Sequence, residues 1–142
     1  MKMEEAKNRG LKERLGASGS HFTRQRAAVY DYLVRSGRHP TAEEVYLAVK
    51  AELPKISLAT VYKNLEALVR CGAVSKMSSG ETAARYDIRT DHHFHTRCGG
   101  CGEIRDLEPA SSEELERLLD LPRGFKVADF RLEAVGRCGD CS

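Results

Sequence analysis

Four of the five cysteines in this 142-residue chain form two Cys-x-x-Cys pairs that are separated by 36 residues. The pairs are Cys98 with Cys101 and Cys138 with Cys141. Glycine stands inside each pair and permits the tight turn that directs two thiols toward one point. Four thiolates that converge on one ion are typical of a structural zinc site, which is closed and tetrahedral. We therefore expect the C-terminal part of the chain to fold around zinc.

The N-terminal residues and the hydropathy of the chain predict a cytoplasmic protein that has no membrane partner. The first ten residues are charged and lack the apolar run of a signal peptide, and no apolar stretch is long enough to span a bilayer. In a reducing compartment, clustered cysteines favour a metal over disulfides. The isolated Cys71 is predicted to be a packed small apolar residue and not a ligand.

Charge is distributed unevenly along the chain, although the net charge is only +2. Residues 1–86 carry 15 basic and 9 acidic side chains, whereas residues 87–142 carry 8 basic and 12 acidic ones. A basic N-terminal half fits a polyanionic partner such as DNA. A solvated charged surface would show the same imbalance, so sequence motifs have to decide between the two.

Hydrophobic periodicity predicts an amphipathic helix over residues 1–16 and three further helices in the N-terminal half. These three begin after hydroxyl residues that suit a helix N-cap, namely Thr23, Thr41 and Ser57. Thr41 and Glu44 have the spacing of a capping box, in which each satisfies a main-chain N–H of the other.

Two short alternating segments, residues 73–77 and 84–88, follow the helices and predict a β-hairpin. Helices followed by a hairpin are typical of a winged helix-turn-helix, whose last helix enters the DNA major groove. In that helix Thr60, Tyr62, Lys63 and Asn64 are not needed for the apolar stripe. The predicted DNA contacts are Arg24, Arg26, Ser57, Thr60, Tyr62 and Lys63. A three-helix core that binds protein is the alternative.

The C-terminal part has a different pattern, which predicts a small α+β domain. Residues 94–98 and 102–108 are predicted to be short strands, a capped helix is predicted after Ser111, and residues 125–138 are predicted to be a long strand. The complete chain is thus expected to be α+β, with a winged-helix domain over residues 1–86, a hinge over 87–91 and a second domain over 92–142.

A second group of potential metal ligands begins with the run Asp-His-His-Phe-His at residues 91–95. Asp106 follows the first cysteine pair, and His39 and Asp87 lie upstream. Imidazoles and carboxylates without a thiolate suit Fe(II), Mn(II), Zn(II) or Ni(II). Surface histidines would also explain the run, but the neighbouring cysteine pair favours a metal site.

Together these segments resemble the ferric uptake regulator family, from about Thr23 to Cys141. The matching segments are TRQR at 23–26, HPTAEEVY at 39–46, SLATVYKNL at 57–65, DHHFH at 91–95 and the two cysteine pairs. The resemblance implies a homodimer whose winged-helix domains are hinged on dimerisation domains. It also implies a repressor that binds a palindromic DNA operator when its regulatory site holds metal.

The resemblance further implies a regulatory site built from His39, Asp87, His93, His95 and Asp106. Because aspartate and not glutamate stands at position 106, the set is most similar to the peroxide-sensing branch of the family. In that branch Fe(II) reacts with hydrogen peroxide and a ligand histidine, here His39 or His93, is oxidised, whereas Mn(II) represses without this reaction. Iron, manganese, zinc and nickel remain alternative effectors. Phe94 and Asp129 replace ligands of a further site found in many members, so that site is expected to be absent or degraded.

Two other functions fit parts of the pattern. A metal-dependent enzyme could use the His/Asp site, since such sites bind Fe(II) or activate water. Five protein ligands leave little room for a small-molecule substrate, however, and no general base can be named, so we expect no enzyme activity. A metallochaperone or zinc store would need neither the basic N-terminal half nor the helix at 57–65.

Overall fold

The computed structural model describes residues 2–79, 82–88, 94–107, 111–128, 130 and 132–142, and the chain folds into two compact units, residues 1–90 and 91–142. In chain order the elements of the described residues are α1 (Lys2–Ala17), α2 (Arg24–Ser36), α3 (Ala42–Val49), α4 (Leu58–Arg70), β1 (Ser75–Ser79), β2 (Thr82–Asp87), β3 (Phe94–Cys98), β4 (Ile104–Leu107), α5 (Ser112–Leu118) and β5 (Glu133–Gly136). This is the α+β class that the sequence predicts.

Helices α2, α3 and α4 begin where hydroxyl side chains cap them, which confirms their predicted starts. The Thr23 hydroxyl accepts a hydrogen bond from the Arg26 main-chain N–H at 3.1 Å. Thr41 and Glu44 form both hydrogen bonds of the predicted capping box, at 3.2 and 3.0 Å. Such caps satisfy main-chain groups that a helix leaves unpaired at its N-terminus, and each contributes about 1 kcal/mol.

The core of the first unit lies between the apolar faces of its four helices. α1 contributes Leu11 and Leu15, and α2 contributes Val29 and Leu33, all of which are buried. The buried residues of α4 are Val61, Asn64, Leu65, Ala67 and Leu68. Removing a buried leucine side chain such as that of Leu33 costs about 2–5 kcal/mol.

The predicted hairpin forms, but its first strand begins two residues later than expected. β1 and β2 pair antiparallel, with Lys76 opposite Tyr86 and Met77 opposite Arg85. Ala73 and Val74 are buried in the core instead, and their N–H groups bond to the Leu68 carbonyl at the end of α4. At these two positions, hydrogen bonds to the end of α4 therefore replace the hydrogen bonds of strand pairing.

The second unit is built on a three-stranded sheet with the order β4-β3-β5. β3 pairs antiparallel with β4 and parallel with β5. α5 begins after Ser111, which forms the predicted capping box with Glu114. No helix among the described residues is long and apolar enough to cross a membrane.

The prediction of one long strand over residues 125–138 was wrong for most of that segment. Among its described residues only Glu133–Gly136 forms a strand. Among the described residues, its register with β3 pairs only Glu133–Gly136, with His95–Cys98. A strand cannot extend past the last main-chain groups that pair with it.

Candidate metal centres and DNA interface

The four predicted zinc ligands converge at one end of the second unit. The sulfur atoms of Cys98, Cys101, Cys138 and Cys141 all lie within 4.8 Å of one another. Those of Cys101 and Cys138 are 3.7 Å apart, far more than the roughly 2.05 Å of a disulfide. A tetrahedral zinc ion with Zn–S bonds of about 2.3 Å requires sulfurs about 3.8 Å apart. The geometry of the cluster therefore fits zinc.

The chain around the first cysteine pair stabilises a thiolate. Cys98 ends β3, and its sulfur accepts hydrogen bonds from the main-chain N–H groups of Gly100, Cys101 and Cys138 at 3.3 to 3.5 Å. The N–H groups of Cys101, Cys138 and Gly100 lower the pKa of Cys98 to about 5. Cys98 is therefore charged at neutral pH, which is the state that binds metal.

The other thiols of the cluster oppose the loss of further protons. Hydrogen bonds with Cys138, Cys98 and Cys101 raise the pKa of Cys141 to about 12. A bound cation would reverse this effect, because it supplies the charge that deprotonated sulfurs need. A larger residue at position 100 would crowd the cluster, since a Cβ atom there would lie 3.0 Å from the Cys141 sulfur.

Cys71 lies outside this cluster. Its thiol donates a hydrogen bond to the Leu68 carbonyl at 3.3 Å, and its side chain packs against the core of the first unit. This is the environment that the sequence predicts for a packed small apolar residue.

Two of the predicted regulatory ligands meet inside the first unit. His39 directly precedes the segment that starts α3, and Asp87 ends β2. The Nε2 atom of His39 lies 3.1 Å from Oδ2 of Asp87, and both side chains are less than a tenth exposed. An imidazole and a carboxylate at this distance can bind one ion.

Main-chain contacts bring His39 and Asp87 together. The Tyr86 N–H donates to the Pro40 carbonyl at 2.9 Å, and Thr41 forms a β-bridge with Arg85. The guanidinium of Arg85 also donates to the His39 carbonyl at 2.9 Å. The segment before α3 is thus joined to β2 on both sides of its proline.

Two further predicted ligands are neighbours inside the second unit. His95 on β3 pairs with Asp106 on β4 in the antiparallel register, so their side chains project from the same face of the sheet. Residues 91–93, which include the predicted ligand His93, lie outside the described residues, as does Asp129. Phe94, which replaces a ligand of the further family site, is buried.

The predicted DNA contacts of α4 differ in exposure. Tyr62 and Lys63 are exposed, Ser57 is exposed, and Thr60 is half-buried. The Ser57 hydroxyl accepts from the Thr60 N–H at 3.1 Å and lies 2.9 Å from the Thr60 hydroxyl, so it serves as the helix cap. The expectation that Asn64 faces outward was wrong, because α4 packs against both α2 and α3 and this widens its buried stripe.

The two arginines at the start of α2 also differ. Arg24 is exposed. Arg26 is half-buried, and its Nη1 donates to the His21 carbonyl at 2.6 Å. Its guanidinium is therefore turned back onto its own chain.

Sequence reasoning did not identify the residues that support the His39–Asp87 pair. Besides Arg85, these include Tyr86, which is 1% exposed and whose hydroxyl donates to Glu66 of α4 at 3.4 Å. Burial and the Glu66 carboxylate raise the pKa of Tyr86 to about 12. Alternation in the segment ARYDI predicted a strand, but it contained no signal for these partners.

Comparisons with known proteins agree with these features. The Ferric uptake regulator family matches residues 17–135. The peroxide operon regulator of Bacillus subtilis (strain 168) is 40% identical over 130 residues, which are 92% of this chain and 90% of that protein.

Solved structures of two regulators are similar to this one. The Campylobacter jejuni peroxide stress regulator is 35% identical with a TM-score of 0.60, over 82% of this chain and 88% of that one. The Helicobacter pylori ferric uptake regulator has a TM-score of 0.82 over 97% of this chain and 93% of that one. At 24% identity, the second likeness shows the fold alone.

Proposed function

The chain belongs to the ferric uptake regulator family, and on this premise we propose that it is a metal-dependent transcriptional repressor that releases DNA in response to peroxide. The observation that carries the proposal is the buried His39–Asp87 pair, which lies where β2 of a winged helix meets the start of α3. The B. subtilis and C. jejuni relatives are named as peroxide regulators. The chain is accordingly a regulator and not an enzyme.

Two kinds of metal serve this function. Structural Zn(II) would be held by the four sulfurs of Cys98, Cys101, Cys138 and Cys141. Regulatory Fe(II) or Mn(II) would be held by His39, Asp87, His93, His95 and Asp106. When bound, Fe(II) supplies the electrons that reduce peroxide, and the oxidation would fall on His39 or His93.

The distribution of the regulatory ligands suggests how occupancy would control DNA binding. We assign residues 1–86 to a DNA-binding domain, 87–91 to a hinge and 92–142 to a dimerisation domain. His39 and Asp87 belong to the first two of these segments, and the remaining ligands belong to the third. One shared ion would therefore connect the domains, and a coupling of about 1–3 kcal/mol would change DNA affinity about 5- to 150-fold.

Exposed apolar side chains support a homodimer that forms through the second unit. The large ones exposed there are Leu118, Leu119, Phe125, Leu132 and Val135. Large apolar side chains are costly to leave in water, and contact with a second copy through this unit would cover them. A twofold dimer would place two winged helices on a palindromic operator. We propose that the protein binds DNA in this way in the cytoplasm.

The exposure of the predicted DNA contacts assigns them different tasks. Tyr62 and Lys63 are the exposed members on α4 and would reach base edges and phosphates. Ser57, which caps the helix, and Thr60 would lie close to the DNA backbone. Arg24 and Arg26 at the start of α2 would approach phosphates, Arg26 with the part of its guanidinium that His21 does not engage.

The proposal is tested by DNA binding under defined metal loading. The probe is the duplex selected from a randomised library by the Mn(II)-loaded protein, and anisotropy is measured with metal-free, Mn(II)-loaded and Fe(II)-loaded protein. Both metals should raise affinity, and hydrogen peroxide should abolish the increase only with Fe(II). Mass spectrometry should then find about 16 Da, one oxygen atom, added to the peptide with His39 or His93. DNA affinity that is independent of metal would contradict a regulated repressor, and loss of affinity without oxidised histidine would contradict the peroxide subtype.

A further inference from the structure

Tyr86 contacts both the segment of His39 and the predicted DNA-reading helix. Its main-chain N–H donates to the Pro40 carbonyl, directly after His39, and its hydroxyl donates to Glu66 of α4. Along the chain it directly precedes Asp87. We propose that Tyr86 transmits the state of the His39–Asp87 pair to α4 through its hydrogen bond with Glu66. This inference rests on the proposed metal-dependent repression.

The contacts on the ligand side make Tyr86 follow any movement of the pair. The Pro40 carbonyl and the Arg85 guanidinium join the segment before α3 to β2 at two points, each with a 2.9 Å hydrogen bond. A change in the separation of His39 and Asp87 that moves their main chains would therefore displace β2 or that segment. The Tyr86 ring is fully buried, and close packing restrains its rotation, so its hydroxyl moves with the strand.

The contact on the DNA side is sensitive to small displacements. At 3.4 Å the bond from Tyr86 to Glu66 is longer than the common range for O–H···O bonds, about 2.5–3.0 Å. A shift of a few tenths of an ångström would thus shorten or break it. Glu66 lies one helical turn after Lys63, and the two residues share a continuous α-helix. A pull on Glu66 therefore acts on the part of α4 that is proposed to contact DNA.

Lys76 provides a matched control, since it binds the same carboxylate without contacting the ligand pair. Its ammonium lies 2.8 Å from Oε1 of Glu66, and both side chains are more than a third exposed. Exposed ion pairs of this kind contribute little to stability. Lys76→Gln therefore perturbs Glu66 from the solvent side, whereas Tyr86→Phe removes only the buried hydroxyl.

The experiment measures Mn(II) affinity by electron paramagnetic resonance and the affinity for the library-selected duplex with and without Mn(II). The wild-type protein, Tyr86→Phe, Glu66→Ala and Lys76→Gln are compared with zinc fully loaded, and urea unfolding verifies that each is folded. Tyr86→Phe keeps the main-chain N–H that bonds to Pro40, and Glu66 is bonded to the Tyr86 hydroxyl and not to the ligand pair. We therefore expect both Tyr86→Phe and Glu66→Ala to bind Mn(II) as the wild type does. The increase in DNA affinity caused by Mn(II) should fall roughly three- to tenfold in both, and it should be unchanged in Lys76→Gln.

The outcomes separate this inference from the function beneath it. If Mn(II) does not alter DNA binding by the wild type, the proposed repression is wrong and there is no signal for Tyr86 to transmit. If the wild type responds and Tyr86→Phe or Glu66→Ala keeps the full response, repression stands and the role of Tyr86 is overturned. Equal losses of Mn(II) affinity and response would also overturn it, because Tyr86 would then only shape the ligand pair.

Discussion

The imidazole Nε2 of His39 lies 3.1 Å from Oδ2 of Asp87, and both side chains are buried. The pair exists because two hydrogen bonds join the residues just before α3 to β2. The Pro40 carbonyl accepts one from the Tyr86 N–H, and the His39 carbonyl accepts the other from the Arg85 guanidinium. Two potential ligands from distant parts of the sequence are therefore already adjacent within the first unit.

Asp87→Asn should weaken regulatory metal binding and leave the fold intact. The amide has nearly the same size as the carboxylate, but it lacks the charge that stabilises a divalent cation. Since even residues that only orient ligands cost about 10- to 100-fold in metal affinity when changed, we expect Mn(II) affinity to fall by at least roughly tenfold. Zinc content should not change.

Asp31→Asn is the matched control for this substitution. Asp31 also lies in the first unit, but its carboxylate pairs with Lys7 and Arg35 near the surface. Mn(II) titrations of the two variants should differ clearly. An Asp87→Asn protein with wild-type Mn(II) affinity would remove Asp87 from the ligand set.

Local signals explain which parts of the fold could be predicted from sequence. The starts of α2, α3 and α4 depend on Thr23, Thr41 and Ser57, whose side chains bond to main-chain groups three residues away. Such contacts are specified by neighbouring residues alone. The extent of β5 and the burial of Asn64 depend on partners distant in sequence, namely β3 for the first and the helices packed on α4 for the second.

The same distinction applies to the candidate sites. The two cysteine pairs predicted a cluster because their spacing fixes the chemistry, and the sulfurs do converge. The family resemblance predicted that His39 and Asp87 are metal ligands, and the fold places them side by side. Nothing local indicated that Arg85 would bond to the His39 carbonyl or that Tyr86 would reach Glu66, because both contacts arise only when β2 packs on the helices.

Lys63→Ala and Ser57→Ala should separate DNA contact from helix capping. Lys63 is exposed and makes no cap, so its removal should leave the free energy of unfolding nearly unchanged. DNA binding should weaken, and the slope of log affinity against log salt should decrease by about 1. Ser57→Ala should instead cost about 1 kcal/mol of stability through loss of its bond to the Thr60 N–H. Urea unfolding and salt-dependent anisotropy measure the two effects, and a reversed pattern would exchange the assigned roles.

Asn64→Leu should keep or increase the stability of the first unit. Asn64 is 4% exposed, and its Nδ2 has no hydrogen-bond partner among the described residues. A buried polar group in that state costs about 1–3 kcal/mol, whereas leucine of similar size would pack against the neighbouring apolar residues. The free energy of unfolding in urea should therefore stay constant or rise by about 1 kcal/mol. A clear loss of stability would mean that water or another group satisfies the amide in solution.

Alkaline pH should destabilise the wild type more than Tyr86→Phe. The folded protein raises the pKa of Tyr86 from 10 to about 12, because burial and the Glu66 carboxylate oppose its ionisation. A group with a raised pKa contributes stability that is fully present below pH 10 and is lost as the pH rises toward 12. Urea unfolding over this range should give a steeper decline for the wild type, since phenylalanine cannot ionise. Parallel profiles would show that the hydroxyl titrates alike in both states.

Cys98→Ser and Cys71→Ser each replace one sulfur by oxygen, but only the first should unfold the second unit. Cys98 accepts three main-chain hydrogen bonds at the centre of the thiol cluster, whereas Cys71 donates one bond to Leu68. Binding of zinc at such sites contributes about 10–16 kcal/mol to folding, more than a small three-stranded unit can replace by apolar burial.

Elemental analysis should find zinc lost from Cys98→Ser and retained by Cys71→Ser. Hydrogen exchange should show β3 and β4 unprotected in Cys98→Ser while α2 and α4 stay protected, and a fully protected β3 in zinc-free protein would mean that the cluster binds metal without supporting the fold.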